Sequence, residues 1–387
     1  MQSVVSNISN TTLPGICNST CINSTEALLR PPMRTIEDDI LNGLEYVNII
    51  LLPICLFVGV FGNTVTIIIM NTKAFSTMTS KYFLISLSVS DLILLLTQPF
   101  NKMFVINLFG RDIRALSTIG CKIHFWSFRN GKMTSSWFVV CLCLERFTAV
   151  QFPFKVKRVF CRRNCLVIIA VVYSVIALFN GFWSYSSQIN SSGMCNPDVF
   201  NMSDPAAIFI YRAMLTAGSS MYSMIPMCIL ITVTPITFVT LLRRTRERRK
   251  MTQNQGREMD LTRITLMLLA VVITYIVLLA PVTALPNVAF YLGINPFGKN
   301  PKPFLIYQDI AQILEQLNYT INFFLYVASN RHFRISVATL LHLDKLKRHR
   351  TNNTKKFKKS KDVSSVLENN TAINKSDTAT SSFISKF

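Results

Sequence analysis

The chain has 387 residues, of which 50% are hydrophobic and only 15% are charged. Soluble globular domains carry roughly 25% charged residues, so this composition excludes a soluble fold of this length and indicates a protein embedded in lipid. Lysine and arginine number 40 against 19 aspartate and glutamate residues, which gives a net charge of +21. We expect no nucleic-acid binding, because the basic residues cluster in loops beside apolar segments, as membrane-orientation signals do.

Seven segments have the length and apolarity to cross the ~30 Å hydrocarbon core of a bilayer as helices. In chain order they are residues 46–71, 81–104, 118–150, 165–186, 207–241, 261–292 and 304–329. The third and seventh are more polar than a lipid-exposed helix tolerates, so we expect them to face a bundle interior. The pattern predicts an all-α fold, a seven-transmembrane-helix bundle over residues 46–329.

Charge and glycosylation sequons orient these segments in the membrane. Basic residues cluster after the third, fifth and seventh segments, so we expect these ends to be cytoplasmic and the N-terminus to be extracellular. Residues 1–45 then form an extracellular tail. Six Asn-x-Ser/Thr triplets fall on the extracellular side and are expected to be glycosylated: Asn7, Asn10, Asn18, Asn23, Asn190 and Asn201.

Two further segments follow the seventh span. Residues 330–343 are predicted to form a short amphipathic helix on the membrane surface, with Phe333, Val337 and Leu340 on one face. Residues 344–387 are rich in lysine, asparagine, serine and threonine, which indicates a disordered cytoplasmic tail. Its hydroxyl residues are candidate phosphorylation sites that would recruit an arrestin, although a solvated tail without that role has the same composition.

Motifs recur within the spans in a recognisable order. They are Gly62-Asn63, Leu87-Ser-Val-Ser-Asp91, Cys121, Glu145-Arg146-Phe147, Pro226, Pro281 and Asn322-Phe-Phe-Leu-Tyr326. In order and spacing they resemble the motifs of rhodopsin-like (class A) G-protein-coupled receptors. The resemblance implies a plasma-membrane receptor, rather than an enzyme, that binds an extracellular ligand and activates a heterotrimeric G protein.

Several positions depart from the family's pattern. Leu279 stands where the family has a tryptophan, and Phe323 stands where it has a proline. Phe147 and Thr234 each replace a tyrosine, and the family's acidic residue on the sixth span falls at Leu261. These departures concern the parts that move during activation, whereas the expected fold is unaffected.

The resemblance implies a disulfide between Cys121, at the outer end of the third span, and Cys195, between the fourth and fifth spans. Both positions fall on the oxidising side of the membrane. Cys17 and Cys21 in the N-terminal tail are a second exposed pair, whose pairing the sequence leaves open.

Asp91 is an ionisable residue in the middle of a span and needs partners there. In the resembled family, the positions of Asn63, Ser135, Asn318 and Asn322 line a pocket for an allosteric sodium ion, and oxygen ligands suit a hard cation. The alternative is a protonated, neutral Asp91 within a hydrogen-bond network. We expect no other cofactor.

Glu145 and Arg146 at the cytoplasmic end of the third span are the candidate G-protein switch, together with Asn322 and Tyr326 on the seventh. The resemblance implies that Arg146 pairs with Glu145 at rest and turns toward the G protein on activation. The alternative is an interfacial ion pair that only sets the depth of the helix.

The candidate ligand-binding residues lie inside the third and seventh spans. They are Phe128, Arg129, Lys132, Gln312 and Glu315. Phe128 occupies the place where amine receptors carry an aspartate, which argues against a biogenic amine. Two cations against one carboxylate favour an anionic ligand group. The alternatives are a wholly internal network that includes Asp309 and snorkelling of the long side chains.

A glycosylated tail and a polar cavity suggest a short peptide ligand, by analogy with members of the resembled family. Two alternatives stay open, a chemosensory or orphan receptor for a small anion and a secondary transporter. A transporter is expected to show interrupted helices in paired halves and internal symmetry, and neither pattern occurs in this sequence.

Overall fold

The computed structural model describes residues 35–98, 110–191, 193–197, 204–250, 255–291 and 300–341. Several expected features lie outside these residues: the sequons at Asn7, Asn10, Asn18, Asn23 and Asn201, the pair Cys17 and Cys21, and the cytoplasmic tail. Of the six sequons expected to be glycosylated, the structure describes the one at Asn190.

The main helices of the described residues are labelled α1 to α8 in chain order. They are α1 (Ile36–Met70), α2 (Lys81–Thr97), α3 (Thr118–Gln151), α4 (Arg162–Ser186), α5 (Pro205–Ser219, Ser220–Met224 and Ile225–Lys250, which are continuous), α6 (Gln255–Tyr291), α7 (Lys302–Ser329) and α8 (Arg331–Leu340). Short helices span Lys73–Phe75, Ile113–Leu116 and Pro153–Val159, and strands β1 (Ser187–Ile189) and β2 (Cys195–Pro197) pair antiparallel with Gln188 opposite Asn196. Each expected span is therefore helical in its described part.

α1 begins at Ile36, earlier than the expected boundary at residue 46. Asp38 in its first turn accepts hydrogen bonds from the Thr35 backbone N–H at 3.1 Å and from the Thr35 hydroxyl at 2.8 Å. Lys302 at the start of α7 pairs with the same carboxylate at 2.8 Å. Because a helix N-terminus needs such partners, these contacts extend α1 into residues 36–45 of the expected tail.

Five described helices are long and apolar enough to cross a membrane. They are Ile36–Met70, Thr118–Gln151, Arg162–Ser186, Pro205–Glu247 and Thr265–Leu285. α2 is described only as far as Gln98, and α7 carries buried polar residues such as Glu315 and Asn318 that lower its hydropathy. Polar residues are tolerated at membrane depth where they face a bundle interior, and α7 buries them there.

α3 runs through the centre of the bundle. It packs against α2, α4, α5 and α6, whereas α1 packs against α2 and α7. The largest apolar cluster lies toward the α8 end and includes Phe83, Phe138, Leu230 and Phe333. Apolar packing therefore closes the α8 end of the bundle, and a cavity between α3 and α5 lies nearer the hairpin end.

α8 is the expected amphipathic helix, and it turns back against the ends of α7 and α1. Asn330 caps it, because its Oδ1 accepts two backbone N–H groups at 2.9 and 3.2 Å. Phe333 is fully buried and packs on the Tyr326 ring, with ring centres 5.6 Å apart. Leu340 and Leu341 are exposed, as expected for a helix that lies on a membrane surface.

Gly62 brings α1 close to α7. A Cβ atom added at Gly62 would lie 2.7 Å from Phe323 Cβ, well inside the distance at which carbon atoms pack. Phe323 stands where the family has a proline, and its ring packs edge-to-face on Phe61, with ring centres 6.1 Å apart. The absence of a side chain at Gly62 therefore leaves room for the phenylalanine at this family-variant position.

Gly62→Ala is expected to lower the free energy of unfolding of the purified protein by about 1–3 kcal/mol, because the added methyl group forces α1 and α7 apart. Gly43→Ala in the same helix is the matched control, since nothing lies within 4 Å of its added Cβ. Thermal unfolding in detergent measures both variants. Equal melting temperatures for the two would contradict the close contact between α1 and α7.

Candidate functional site

A disulfide and a small hairpin cover one end of the bundle. Cys121 at the start of α3 is bonded to Cys195 in β2, so the disulfide implied by the resemblance is confirmed. β1 continues directly from α4, and the bond therefore joins α3, α4 and the hairpin over the mouth of the bundle. Asn190 lies in the hairpin turn, where its Oδ1 accepts the Met194 N–H at 2.8 Å. Glycosylation of Asn190 stays a prediction.

Asp112 fastens the segment before α3 to the same hairpin. Its carboxylate accepts the Cys195 backbone N–H at 3.0 Å and pairs with Arg114 at 2.8 Å. Burial alone would raise the pKa of this carboxyl, but the hydrogen bonds from Arg114 and Cys195 outweigh burial and hold the pKa below its usual range. The charged form of Asp112 therefore stabilises the covered end of the bundle.

An ion pair lies inside the bundle. Lys132 Nζ on α3 is 2.7 Å from Glu315 Oε1 on α7, and Glu315 is only 4% exposed. The same oxygen accepts hydrogen bonds from the hydroxyl of Tyr319, at 2.8 Å, and from that of Tyr222 on α5. Helices α3, α5 and α7 are thereby joined through one carboxylate.

A π-helical turn in α5, Ser220–Met224, contains the tyrosine that reaches this carboxylate. Within the turn, the Met221 carbonyl accepts a hydrogen bond from Trp137 Nε1 on α3 at 3.0 Å. Single π turns inside α-helices are frequent at functional sites. Sequence reasoning missed Tyr222 because it belongs to no motif. The available signal was a hydroxyl residue one helical turn before Pro226.

Arg129 has a different partner. Its guanidinium lies 3.6 Å from the centre of the Trp183 ring on α4. Among the residues that the structure describes, no carboxylate forms an ion pair with Arg129. Arg129, Lys132 and Phe128 all line a cavity of ≈240 Å³ between α3 and α5. The structure therefore separates the two cations, since Lys132 pairs with a carboxylate and Arg129 lies on an aromatic ring.

Two residues of the sequence hypothesis lie outside this arrangement. Gln312 is exposed on α7 and does not line the cavity as described. Among the described residues, Asp309 forms no ion pair with Arg129 or Lys132, and the internal network that includes Asp309 stays a prediction. Ligand binding by Gln312 and by the cavity residues stays a prediction.

Asp91 on α2 is fully buried and binds two of its expected partners. Ser135 Oγ donates to its carboxylate at 2.6 Å, and Asn322 Nδ2 donates at 2.9 Å. Asn63 donates instead to backbone carbonyls of α1 and α7, and Asn318 is buried on α7. The oxygens of Asp91 and Ser135 suit a hard cation, whereas Asn322 presents its nitrogen to the carboxylate. Sodium binding stays a prediction.

Glu145 and Arg146 form a closed cluster at the other end of α3. Arg146 Nε and Nη2 each donate to the Glu145 carboxylate at 2.6 Å, and both side chains are buried. Thr79 and Ser80, just before α2, donate to the same carboxylate, and Arg146 donates to Ser80. Sequence reasoning missed these hydroxyls, because a polar pair at the start of a helix does not show which neighbour it contacts.

The other two expected switch residues lie apart from that cluster. Asn322 binds the buried aspartate of α2, and Tyr326 packs on Phe333 of α8. The Tyr326 hydroxyl is buried, and no described group hydrogen-bonds to it. Thr234, at the family position of a tyrosine, instead lies 3.6 Å from Cys143 Sγ on α3. Two of the four expected switch residues therefore lie in the Glu145–Arg146 cluster, and the other two lie on α7 away from it.

Lys132→Met and Glu315→Gln are each expected to lower the free energy of unfolding by up to about 3 kcal/mol. Each change leaves the other residue of the pair as a charge without its partner. The value is at the low end for buried pairs, since the Lys132 side chain is 22% exposed. The double variant should lose less than the sum of the two, because neither charge remains. Thermal unfolding of the four purified proteins measures the cycle, and strictly additive losses would contradict the pair.

Asp112→Asn is expected to lower stability by about 1–3 kcal/mol at neutral pH, because a charged acceptor of buried hydrogen bonds is lost. The folded pKa of Asp112 is lowered, so this stabilisation is present above the usual value of 3.8 and is lost as the pH falls below it. Melting temperatures of the two proteins should therefore converge in acid. A difference that stays constant as the pH falls would argue against a charged Asp112.

Comparison with known proteins places this arrangement in a family. Residues 62–329 match the family described as 7 transmembrane receptor (rhodopsin family). Neuromedin-U receptor 2 of Mus musculus is 28% identical over 45% of this chain and 44% of its own length. Galanin receptor type 2 of Homo sapiens is 26% identical over 38% of each chain, and lysophosphatidic acid receptor 4 of Homo sapiens is 27% identical over 35% and 34%.

The chain spans less than half the length of each of these relatives. The family match is wider, because it extends from within α1 to the end of α7 and includes the disulfide, the buried aspartate and the Glu145–Arg146 pair. The resemblance drawn from the motifs is therefore confirmed. The chain is a multi-pass membrane protein that belongs to the rhodopsin family of seven-transmembrane receptors.

Proposed function

We propose that the chain binds a ligand at the hairpin end of the bundle and activates a heterotrimeric G protein at the α8 end. The observation that carries the proposal is the Glu145–Arg146 cluster at one end of α3, with a cavity lined by Arg129 and Lys132 along the same helix. Receptor action requires two sites that are coupled through an element with two arrangements. α3 connects both sites and packs on four other helices, which suits it to that role.

The resting arrangement is the one in which Arg146 is occupied. Glu145 and Ser80 accept hydrogen bonds from its Nε and Nη2 atoms, and these bonds hold the guanidinium inside the bundle rather than at the surface. Activation would remove Thr79 and Ser80 from the cluster and let the Arg146 side chain turn away from Glu145. A ligand favours that state only by as much as it binds the open arrangement more tightly than the closed one.

Basic residues support an orientation with the α8 end in the cytoplasm. The short helix after α3 and the end of α5 carry Lys155, Lys157, Arg158, Arg243 and Arg246. Short cytoplasmic loops are enriched in lysine and arginine, whereas disulfides form on the oxidising side, where Cys121–Cys195 would then lie. We therefore place the receptor in the plasma membrane with the hairpin outside.

A short peptide is the ligand class that the relatives favour, because two of those compared are receptors for galanin and neuromedin-U. The hairpin lies over the mouth of the bundle rather than inside the cavity lined by Arg129 and Lys132. One end of a peptide would fit a cavity of ≈240 Å³, and the rest would contact the hairpin. Because the chain belongs to a receptor family, we favour receptor function over the alternative of a secondary transporter.

Three further partners belong to the proposal. The exposed leucines of α8 would rest on the bilayer surface. A phosphorylated C-terminal tail would recruit an arrestin, although that tail lies outside the described residues. A sodium ion would be held by Asp91 and Ser135, whose oxygens are 2.6 Å apart.

Glu145→Gln is expected to raise ligand-independent G-protein activation about fivefold or more, because it removes the charge that holds Arg146 and about 1 kcal/mol of bias suffices for that change. Glu145→Gln combined with Arg146→Ala should lose this activation, since the freed side chain is then missing. Cells that express the variants with a panel of G-protein α subunits provide the measurement, normalised to surface expression.

Arg111→Ala is the matched control, because Arg111 is an exposed arginine at the hairpin end. It should leave basal activation unchanged. Stimulation with a peptide library then tests ligand response in the wild type and in Arg146→Ala. If Glu145→Gln fails to raise activation with every α subunit, or if Arg146→Ala responds like the wild type, the proposed switch is wrong.

A further inference from the structure

The cavity between α3 and α5 carries one positive charge that no described carboxylate balances. Lys132 is neutralised by Glu315 at 2.7 Å, so the pair contributes no net charge. Among the described residues, Arg129 contacts the Trp183 ring at 3.6 Å and interacts with Tyr211; neither partner is a carboxylate, and a cation–π contact leaves the charge in place. A desolvated cation without an anion is costly, and an anion that enters the cavity would offset that cost.

Gly218 on α5 leaves the guanidinium accessible. Both residues line the cavity, and a Cβ atom added at Gly218 would lie 3.8 Å from Arg129 Nη1. A larger side chain at this position would begin within van der Waals contact of Arg129 Nη1 and would occupy space beside the guanidinium. The glycine thus keeps a space directly beside the unbalanced charge.

The rest of the cavity wall is mostly apolar. Phe125, Phe128, Met133 and Leu215 surround the two cations. The volume of ≈240 Å³ is smaller than the roughly 300–1,000 Å³ of typical ligand pockets, so only one end of a ligand fits inside. That end must combine an anion with a compact aromatic or aliphatic group.

Resting on the receptor function proposed above, we propose that Arg129 anchors a ligand carboxylate carried on an aromatic or aliphatic group of side-chain size. The planar guanidinium matches a carboxylate in two parallel hydrogen bonds. One unbalanced positive charge equals the single charge of a carboxylate, whereas a phosphate monoester carries about −1.5 to −2. Both a free organic acid and the C-terminal residue of a peptide present this chemistry.

The test measures thermal stabilisation of the purified full-length receptor in lipid nanodiscs, without G protein. The probes are 3-phenylpropanoate, its uncharged amide, the peptide Gly-Gly-Phe with a free C-terminal carboxylate, and the same peptide with an amidated C-terminus. The variants are Arg129→Gln, which removes the charge, and Gly218→Leu, which keeps the charge but covers it. Lys122→Gln is the matched control, because Lys122 lies on α3 in a different groove with Trp126.

We expect the two acids to stabilise the wild type and Lys122→Gln, and both amides to bind at least about tenfold more weakly, as loss of a charge-assisted contact implies. Arg129→Gln and Gly218→Leu should each weaken acid binding by about tenfold or more. Tighter binding of the peptide acid than of phenylpropanoate would assign the carboxylate to a peptide terminus, and the reverse would assign it to a small acid.

Three results would overturn the proposal: no stabilisation of the wild type by either acid, equal binding of acid and amide, or unchanged acid binding in either folded variant, Arg129→Gln or Gly218→Leu. Gly218→Leu keeps the test decisive if Arg129→Gln fails to fold. Because no G protein is present, failure here leaves the effect of Glu145→Gln on G-protein activation untouched. The proposed function and the carboxylate site therefore fail separately.

Discussion

The interior of the bundle depends on the Lys132–Glu315 ion pair. An ion pair in a low-dielectric interior is tolerated only when its geometry is close and its remaining hydrogen-bonding capacity is used. One oxygen of Glu315 meets the Lys132 ammonium and two tyrosine hydroxyls, so α3, α5 and α7 converge on a single atom. A shift of any of these helices must rearrange that group. The pair therefore couples the shape of the cavity to the positions of three helices.

Polar side chains follow α3 in successive layers, each closed by a neighbouring helix. Lys132 forms an ion pair with Glu315 of α7, and Ser135 donates a hydrogen bond to Asp91 of α2. Glu145 and Arg146 form hydrogen bonds with the residues that precede α2. Lipid offers no hydrogen-bonding partners, so polar groups at membrane depth must be satisfied inside the protein. The central position of α3 and its unusual polarity are consequences of that one constraint. They place a cavity and a charged cluster on the same helix.

Hydropathy and the order of motifs were sufficient to predict the seven helices, the amphipathic helix, the disulfide and the ion pair of Glu145 with Arg146. They were insufficient where the outcome depends on a distant partner. Lys302 from α7 helps to hold the early start of α1. Arg129 lies on the Trp183 ring of α4, so Lys132 is the α3 cation that forms the ion pair with Glu315. Local sequence contains neither fact.

The most direct test of the charge assignment in the cavity is the protonation state of Glu315, measured by infrared spectroscopy of the purified receptor with Glu315→Gln as the assigning variant. The structure predicts an ionised carboxylate band that disappears in Glu315→Gln and shifts in Lys132→Met, because the ammonium is its partner. A protonated carboxylic-acid band assigned to Glu315 in the wild type would contradict the account. Lys132 would then be unbalanced as well, and Arg129 would no longer be the distinct anion site.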